Sequence, residues 1–176
     1  MKILMISDTH GNMSMIDKMV KIAENFDLTI HLGDNYTDGV PFIESSIPII
    51  RVPGTWGWEY QDNTIDNRRF ETFLGWRFFL THTPTSDPHD LDTDIDPENV
   101  LKNEQCDIFC HGHTHKPTIY KDGNSTVLNP GHLKSSFDRG YNASYAQIQL
   151  SELKCEISIL ELESNKEIFH FEIEKL

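Results

Sequence analysis

Long apolar runs, spaced cysteines and positive charge are all scarce in this chain. Its three cysteines, Cys106, Cys110 and Cys155, are odd in number and sit in apolar stretches rather than in a spaced framework. That excludes a disulfide scaffold and predicts reduced core thiols in a cytoplasmic protein. The opening stretch Ile3-Leu4-Met5-Ile6 is too short for a signal-peptide core, and no later stretch approaches the ~20 apolar residues needed to span a bilayer. No membrane role is expected. Lys and Arg number 15 against 28 Asp and Glu, a formal charge of −13. Such a surface repels nucleic-acid backbones and anionic lipids, which excludes a dedicated nucleic-acid-binding role, although a bound cation can reverse the potential locally and attract a small phosphate ester.

What is present suits one globular domain covering residues 1–176: 38 % of the residues are hydrophobic, and aromatics are spread along the chain. Neither an internal repeat nor a low-complexity linker breaks it. Five apolar runs read as strands, and each stops at polar residues. Ile3 to Ile6 ends at Ser7-Asp8, Leu28 to Leu32 at Gly33-Asp34, and Pro48 to Val52 at Pro53-Gly54-Thr55. Trp76 to Leu80 ends at Thr81-His82, and Ile108 to Cys110 at His111-Gly112-His113.

Between the first two strands, Met15, Ile16, Met19, Val20, Ala23 and Phe26 recur at helical spacing behind a cap at Asn12 or Ser14. A shorter helix is expected over Val40 to Ser45, and a third begins at Asp96-Pro97, an N-cap followed by proline. Strand-helix-strand order implies right-handed crossovers and a largely parallel sheet, which binds ligands beyond the carboxyl ends of its strands. From Thr126 onward the pattern changes to consecutive strands: Thr126 to Leu128, Ser144 to Leu150, Cys155 to Leu162 and Glu167 to Ile173. Short turns such as Ser164-Asn165-Lys166 suit antiparallel hairpins. The expected fold class is α/β, a two-sheet β-sandwich flanked by helices.

Asp8, His10, Asp34, His82, His113 and His115 all fall at these strand ends. Two carboxylates and four imidazoles suit a pair of hydrolytic metal ions, because such ligands leave a bound water reactive. Any one of them alone would read as a cap or a surface residue. Six at successive strand ends make coincidence a poor explanation.

The order Asp-x-His, Gly-Asp, a glycine-led turn, a lone His and Gly-His-x-His resembles the calcineurin-like metallophosphoesterases. The short chain, with Asn129-Pro130-Gly131 after Gly112-His113-Thr114-His115, is similar to their small bacterial and archaeal phosphodiesterase branch. The resemblance runs from Met1 to about Tyr145. It implies a four-layer α/β/β/α fold with a dinuclear metal centre. By the same resemblance Asp8, His10, Asp34 and His115 would hold one metal, and Asp34, His82 and His113 the other, with Asp34 bridging and Asn12 supporting them by hydrogen bonding. Metals roughly 3.5–4 Å apart can share a hydroxide aimed at phosphorus. Mn²⁺ leads the candidates, ahead of Ni²⁺, Fe and Zn²⁺, since mixed Asp/His shells accept several divalent ions.

The third block departs from the family. Where Gly-Asn is usual, this chain reads Pro53-Gly54-Thr55-Trp56-Gly57-Trp58-Glu59. Thr55 stands where the Asn oxygen would complete the second metal's ligands, and its shorter, weaker hydroxyl implies reduced affinity there. The acid or imidazole that usually follows is also replaced, leaving Glu59 as the nearest candidate general acid and Asp62 behind it. Against that stands a plainer reading in which Glu59 is solvated and the tryptophans form a lid or a subunit contact.

The acidic run Asp87 to Asp96 invites a calcium-loop reading but lacks glycine and glutamate at the sixth and twelfth positions from Asp90. It reads as an exposed, mobile loop shaping substrate entry. His132 can face the site or be structural, His31 and His170 read as packing or surface residues, and His111 as pointing away. The expected activity is hydrolysis of a small phosphate ester, most simply a phosphodiester. The alternative is an interaction scaffold of the same fold, like a relative in eukaryotic membrane sorting. Exposed-looking Trp56, Trp58 and Tyr60 offer a surface for a homodimer or a higher homo-oligomer.

Overall fold

A computed structural model describes residues 1–175. Its first sheet starts with β1 (Lys2–Ile6), β2 (Leu28–His31) and β3 (Ile49–Arg51), which run parallel, and β1 pairs on its other side with β11 (Ser144–Leu150) antiparallel. Strands β12 (Lys154–Glu161) and β13 (Glu167–Glu174) extend it, giving the order β13-β12-β11-β1-β2-β3. The second sheet is built from the middle of the chain: β4 (Arg68–Phe73), β5 (Trp76–Thr81), β6 (Ile108–Cys110), β7 (Thr118–Asp122) and β8 (Ser125–Asn129), in the order β4-β5-β6-β8-β7. A separate hairpin joins β9 (Phe137–Asp138) to β10 (Tyr141–Asn142).

The apolar runs are continuous because both faces of these strands are covered. On β1, Ile3 and Met5 point between the sheets, where they join Ile30, Phe78, Ile108 and Ile157, while Leu4 and Ile6 meet Met15, Ile16 and Met19 on the outside. Those three belong to helix α1 (Met13–Ala23), which also packs beside Phe42 of helix α2 (Val40–Glu44). Helix α3 (Pro97–Lys102) covers the other outer face through Val100, against Phe79, Phe109 and Val127. The layers are therefore α/β/β/α. No described helix is long and apolar enough to cross a membrane.

Local chemistry accounts for the helix starts. Asn12 caps α1 by accepting from the Met15 N–H, and the Asp96 carboxylate accepts from Glu98 and Asn99 at the start of α3, where Pro97 needs no donor partner. All three cysteines are buried and unpaired, and burial pushes the thiols up, Cys106 to about 11 and Cys155 to about 12.

The late strands divide between the two sheets. Three of them add to the first sheet, and only β8, the Thr126 to Leu128 strand of the sequence, joins the second, parallel to β6. Strands β4 and β7 and the β9–β10 hairpin had no apolar signature. On β4 the buried position is Arg68, whereas Phe70 is 44 % exposed.

Candidate metal centre

Strands β1, β2, β5 and β6 deliver their carboxyl ends to one place. The Asp8 N–H donates to the Gly33 carbonyl at 2.7 Å, and the Asp8 carboxylate accepts from the His113 N–H at 3.0 and 3.2 Å. His115 Nε2 lies 3.3 Å from Asp8 Oδ1 and 3.1 Å from His10 Nε2, which is itself 3.3 Å from Asp34 Oδ2. Ligand atoms of Asp8, His10, Asp34 and His115 all fall within 4.8 Å of one another, a cluster that can hold one metal ion.

The other oxygen of Asp34 faces a second group. Oδ1 is 3.2 Å from His82 Nε2, and His82 Nε2 is 3.3 Å from His113 Nδ1. Asp34 thus divides its two oxygens between two sets of imidazoles. Among the described residues, the ion-pair partners of Asp8 and Asp34 are imidazoles alone. Two carboxylates buried without Lys or Arg call for a cation, and the donor set suits a divalent metal.

Two of the imidazoles have their tautomers set by acceptors. His82 Nδ1 lies 2.8 Å from the Leu32 carbonyl and must donate to it, which leaves Nε2 as a lone pair facing Asp34 and His113. His115 donates from Nδ1 to Asp138 and presents Nε2 to Asp8 and His10. Burial holds His10 and His113 below the usual imidazole value, keeping them neutral, the form that binds metal. Burial is the largest influence on His115 and Asp8 and disfavours charge on both, but it is outweighed by their mutual attraction together with Asp138 beside His115 and Ser7 and His82 beside Asp8: His115 is raised and Asp8 lowered.

The backbone is strained where these side chains converge. Asp8, His10, His113 and His115 have φ of 53°, 47°, 66° and 62°. A left-handed conformation costs a non-glycine residue roughly 1–2 kcal/mol. Asp and His tolerate it better than most, and four of the ten non-glycine residues with positive φ among the described residues converge on this one place. The glycines contribute differently from one another. Gly33 needs its φ of 86° and also leaves room for the His82 ring, whereas Gly112, without a positive φ, is small only because a Cβ there would collide with the Ser7 hydroxyl and the Asp8 carboxylate.

Gly54 is just as crowded, since a Cβ there would collide with the Asp34 carboxylate; Thr55, next in the chain, is buried, and among the described residues no side-chain hydrogen bond joins it to the six. Glu59 is 5 % exposed, in the 3-10 turn Trp58–Gln61, with its carboxylate against Gly57. It is not solvated, and among the described residues no hydrogen bond or ion pair joins it to the six. Trp56 and Trp58 are 82 % and 70 % exposed, but Tyr60 is buried and donates to Asp90 at 2.6 Å.

Several neighbours differ from expectation. Among the described residues no hydrogen bond joins the Asn12 side chain to any of the six; its amide donates to the Lys134 carbonyl and its oxygen caps α1, because it stands one residue beyond the turn that holds His10. The acidic run is anchored rather than loose: Arg68, with a side chain 1 % exposed, donates to both Asp90 oxygens at 2.8 Å and to the Ile95 carbonyl. His132 is fully buried, 3.1 Å from the Tyr141 carbonyl and stacked on His115 at 5.5 Å. His31 is buried and His170 exposed, while His111 turns its Nδ1 to the Gly112 carbonyl.

Sequence reading missed Asp138 on His115, Asp38 on the Gly11 N–H and Thr9 hydroxyl, and Asn129, whose amide donates to the Gly112 carbonyl and Thr114 hydroxyl. Only Asn129 lies in a stretch that had drawn notice.

Residues 1–152 match the calcineurin-like phosphoesterase superfamily domain. No curated protein matches the sequence. Among solved structures, a novel archaeal phosphodiesterase is similar at 26 % identity and a TM-score of 0.61, covering 99 % of this chain and 100 % of its own. YfcE, a phosphoesterase from E. coli, gives 20 % identity and a TM-score of 0.70 over 97 % of this chain and 98 % of its own. Vps29 from Entamoeba histolytica, complexed with Zn²⁺, gives 16 % identity and a TM-score of 0.68 over 99 % of both chains.

Proposed function

This chain belongs to the calcineurin-like phosphoesterase superfamily, and from that premise and the geometry of the site we propose that it is a metal-dependent phosphodiesterase with a dinuclear centre. The observation that carries the reading is the division of Asp34, with Oδ2 toward His10 and Oδ1 toward His82. Asp8, His10, Asp34 and His115 hold one ion; Asp34, His82 and His113 hold the other, with Thr55 as its weak remaining ligand. Bound divalent ions, Mn²⁺ first among Mn, Ni, Fe and Zn, supply Lewis acidity for activating water and neutralising phosphoryl charge.

The residues do the positioning. Leu32 and Asp138 fix imidazole tautomers, His113's N–H holds Asp8, and the strained turns at Asp8, His10, His113 and His115 keep four of the six side chains converging without the substrate having to organise them. Glu59, buried in the loop after Thr55, is the candidate proton donor to the leaving alcohol. We read residues 1–176 as one domain acting in the cytoplasm on a small phosphate ester, in keeping with three reduced thiols.

A second reading, an interaction scaffold, draws on the exposed Trp56 and Trp58 and on the threonine where the family usually has asparagine. Hydrolysis of bis-p-nitrophenyl phosphate with added Mn²⁺, compared between the parent and His115→Ala, separates the two. The expected outcome is turnover in the parent that falls at least about 100-fold in the variant, the scale of losing an electrostatic contact to the reacting group. Equal or absent turnover in both favours the scaffold. The activated ester needs little protonation of its leaving group, so the assay reads the metal centre whatever Glu59 does.

A further inference from the structure

We propose that Asp138 is a positioning residue for the metal: it locks His115 as the tautomer protonated on Nδ1, and with Arg139 it ties the β9–β10 hairpin to the loop carrying His113 and His115. The inference rests on the metal reading above.

The hairpin looks too small to exist for its own sake. Each strand has two residues, Asp138 opposite Tyr141 and Phe137 opposite Asn142, and isolated hairpins of this size are not stable. Its two turn residues, Arg139 and Gly140, have φ of 49° and 93°. Positive φ at both positions is the type I′ turn, which suits the twist of a hairpin but strains a non-glycine residue such as Arg139. What the strain secures is the placement of adjacent side chains. Asp138 accepts from His115 Nδ1, and Arg139 Nη1 lies 3.2 Å from the His113 carbonyl and 3.4 Å from that of Thr114.

His115 is consequently held on two sides. Asp138 takes Nδ1, the ring of His132 stacks on one face at 5.5 Å, and only the Nε2 edge remains, toward Asp8 and His10. A carboxylate can only accept a hydrogen bond, so of the two tautomers of the neutral ring Asp138 selects the one protonated on Nδ1, whose Nε2 lone pair is available to a cation. Lys134 Nζ, 3.8 Å from the other Asp138 oxygen, keeps the carboxylate itself oriented.

The test uses the full chain stripped of metal. Mn²⁺ is titrated calorimetrically into the parent, Asp138→Ala and Asp138→Asn, and nitrogen NMR reads the His115 tautomer in the metal-free proteins. Asp138→Ala should weaken the tighter site by about 10–100-fold and release His115 into a mixture of tautomers. Asp138→Asn, whose amide oxygen still accepts, should recover part of both. The metal-free thermal midpoint should barely move; if Asp138→Ala fails to fold, Asp138→Asn carries the comparison, with an intermediate loss expected. Unchanged affinity and an unchanged tautomer overturn the proposal, even if the parent hydrolyses phosphodiesters. Conversely, a parent that binds Mn²⁺ without turning over substrate sinks the enzyme reading, while loss of the Nδ1–H tautomer in Asp138→Ala still sustains this one.

Discussion

Thr55 sits at the weakest point of the proposed centre. It is buried and follows Gly54, where a Cβ would collide with the Asp34 carboxylate that the two ions would share. A threonine oxygen is one bond shorter in reach than an amide oxygen and carries less negative charge. Thr55→Asn is therefore expected to raise Mn²⁺ affinity at the second site alone, by about tenfold or ~1.4 kcal/mol. A two-site titration reads it directly, and an unchanged weaker constant would show that Thr55 leaves no gap to fill. The six Asp and His residues were legible because each belongs to a short local pattern at a strand end. Their partners were not: Asp138 lies 23 residues from His115 and Leu32 lies 50 from His82, so no spacing rule links them.

At the scale of elements, α1 is tied to the rest of the fold through its N-cap. Asn12 closes the helix and grips the Lys134 carbonyl, yet among the described residues no hydrogen bond joins its side chain to any of the six ligands. Asn12→Ala should thus cost stability, about 1 kcal/mol for a lost N-cap, while leaving metal affinity alone. Urea unfolding checks the first and titration the second; a drop in affinity at constant stability would return Asn12 to a role in supporting the ligands. Helix α1 and strands β1, β2 and β6 were readable because burial of both strand faces, or one helix stripe, writes itself as apolar period. Strand β4 escaped because its inward residue is an arginine satisfied by Asp90 of the acidic loop, an arrangement that hydropathy reads as surface. The hairpin β9–β10 is too short to have a period at all.

For the whole molecule, the sandwich is fixed by which strands find each other, and the chain's order does not reveal that. The antiparallel strands β11, β12 and β13 could have closed a sheet of their own; instead β11 pairs with β1, carrying them onto the first sheet. Within that sheet His31 of β2 lies between Ile6 of β1 and Arg51 of β3 and is completely buried, with Nε2 3.0 Å from the Thr9 hydroxyl and Nδ1 without a partner among the described residues. Burial drives its pKa down to about 3, from an ordinary value near 6.5. The folded protein therefore refuses a proton that the unfolded chain accepts. The sign follows: the neutral ring contributes its full stability above pH ~6.5, and stability is lost as pH falls from there toward about 3. Between those limits the unfolded state holds one proton more, so His31 alone tilts the stability curve by up to ~1.4 kcal/mol per pH unit. His31→Gln keeps a hydrogen-bonding group beside Thr9 but cannot titrate. Its unfolding free energy, measured in urea from pH 4 to 8, should run parallel to the parent's above pH ~6.5 and fall less steeply below it; equal slopes on the acid side would mean that His31 takes up its proton without unfolding the protein.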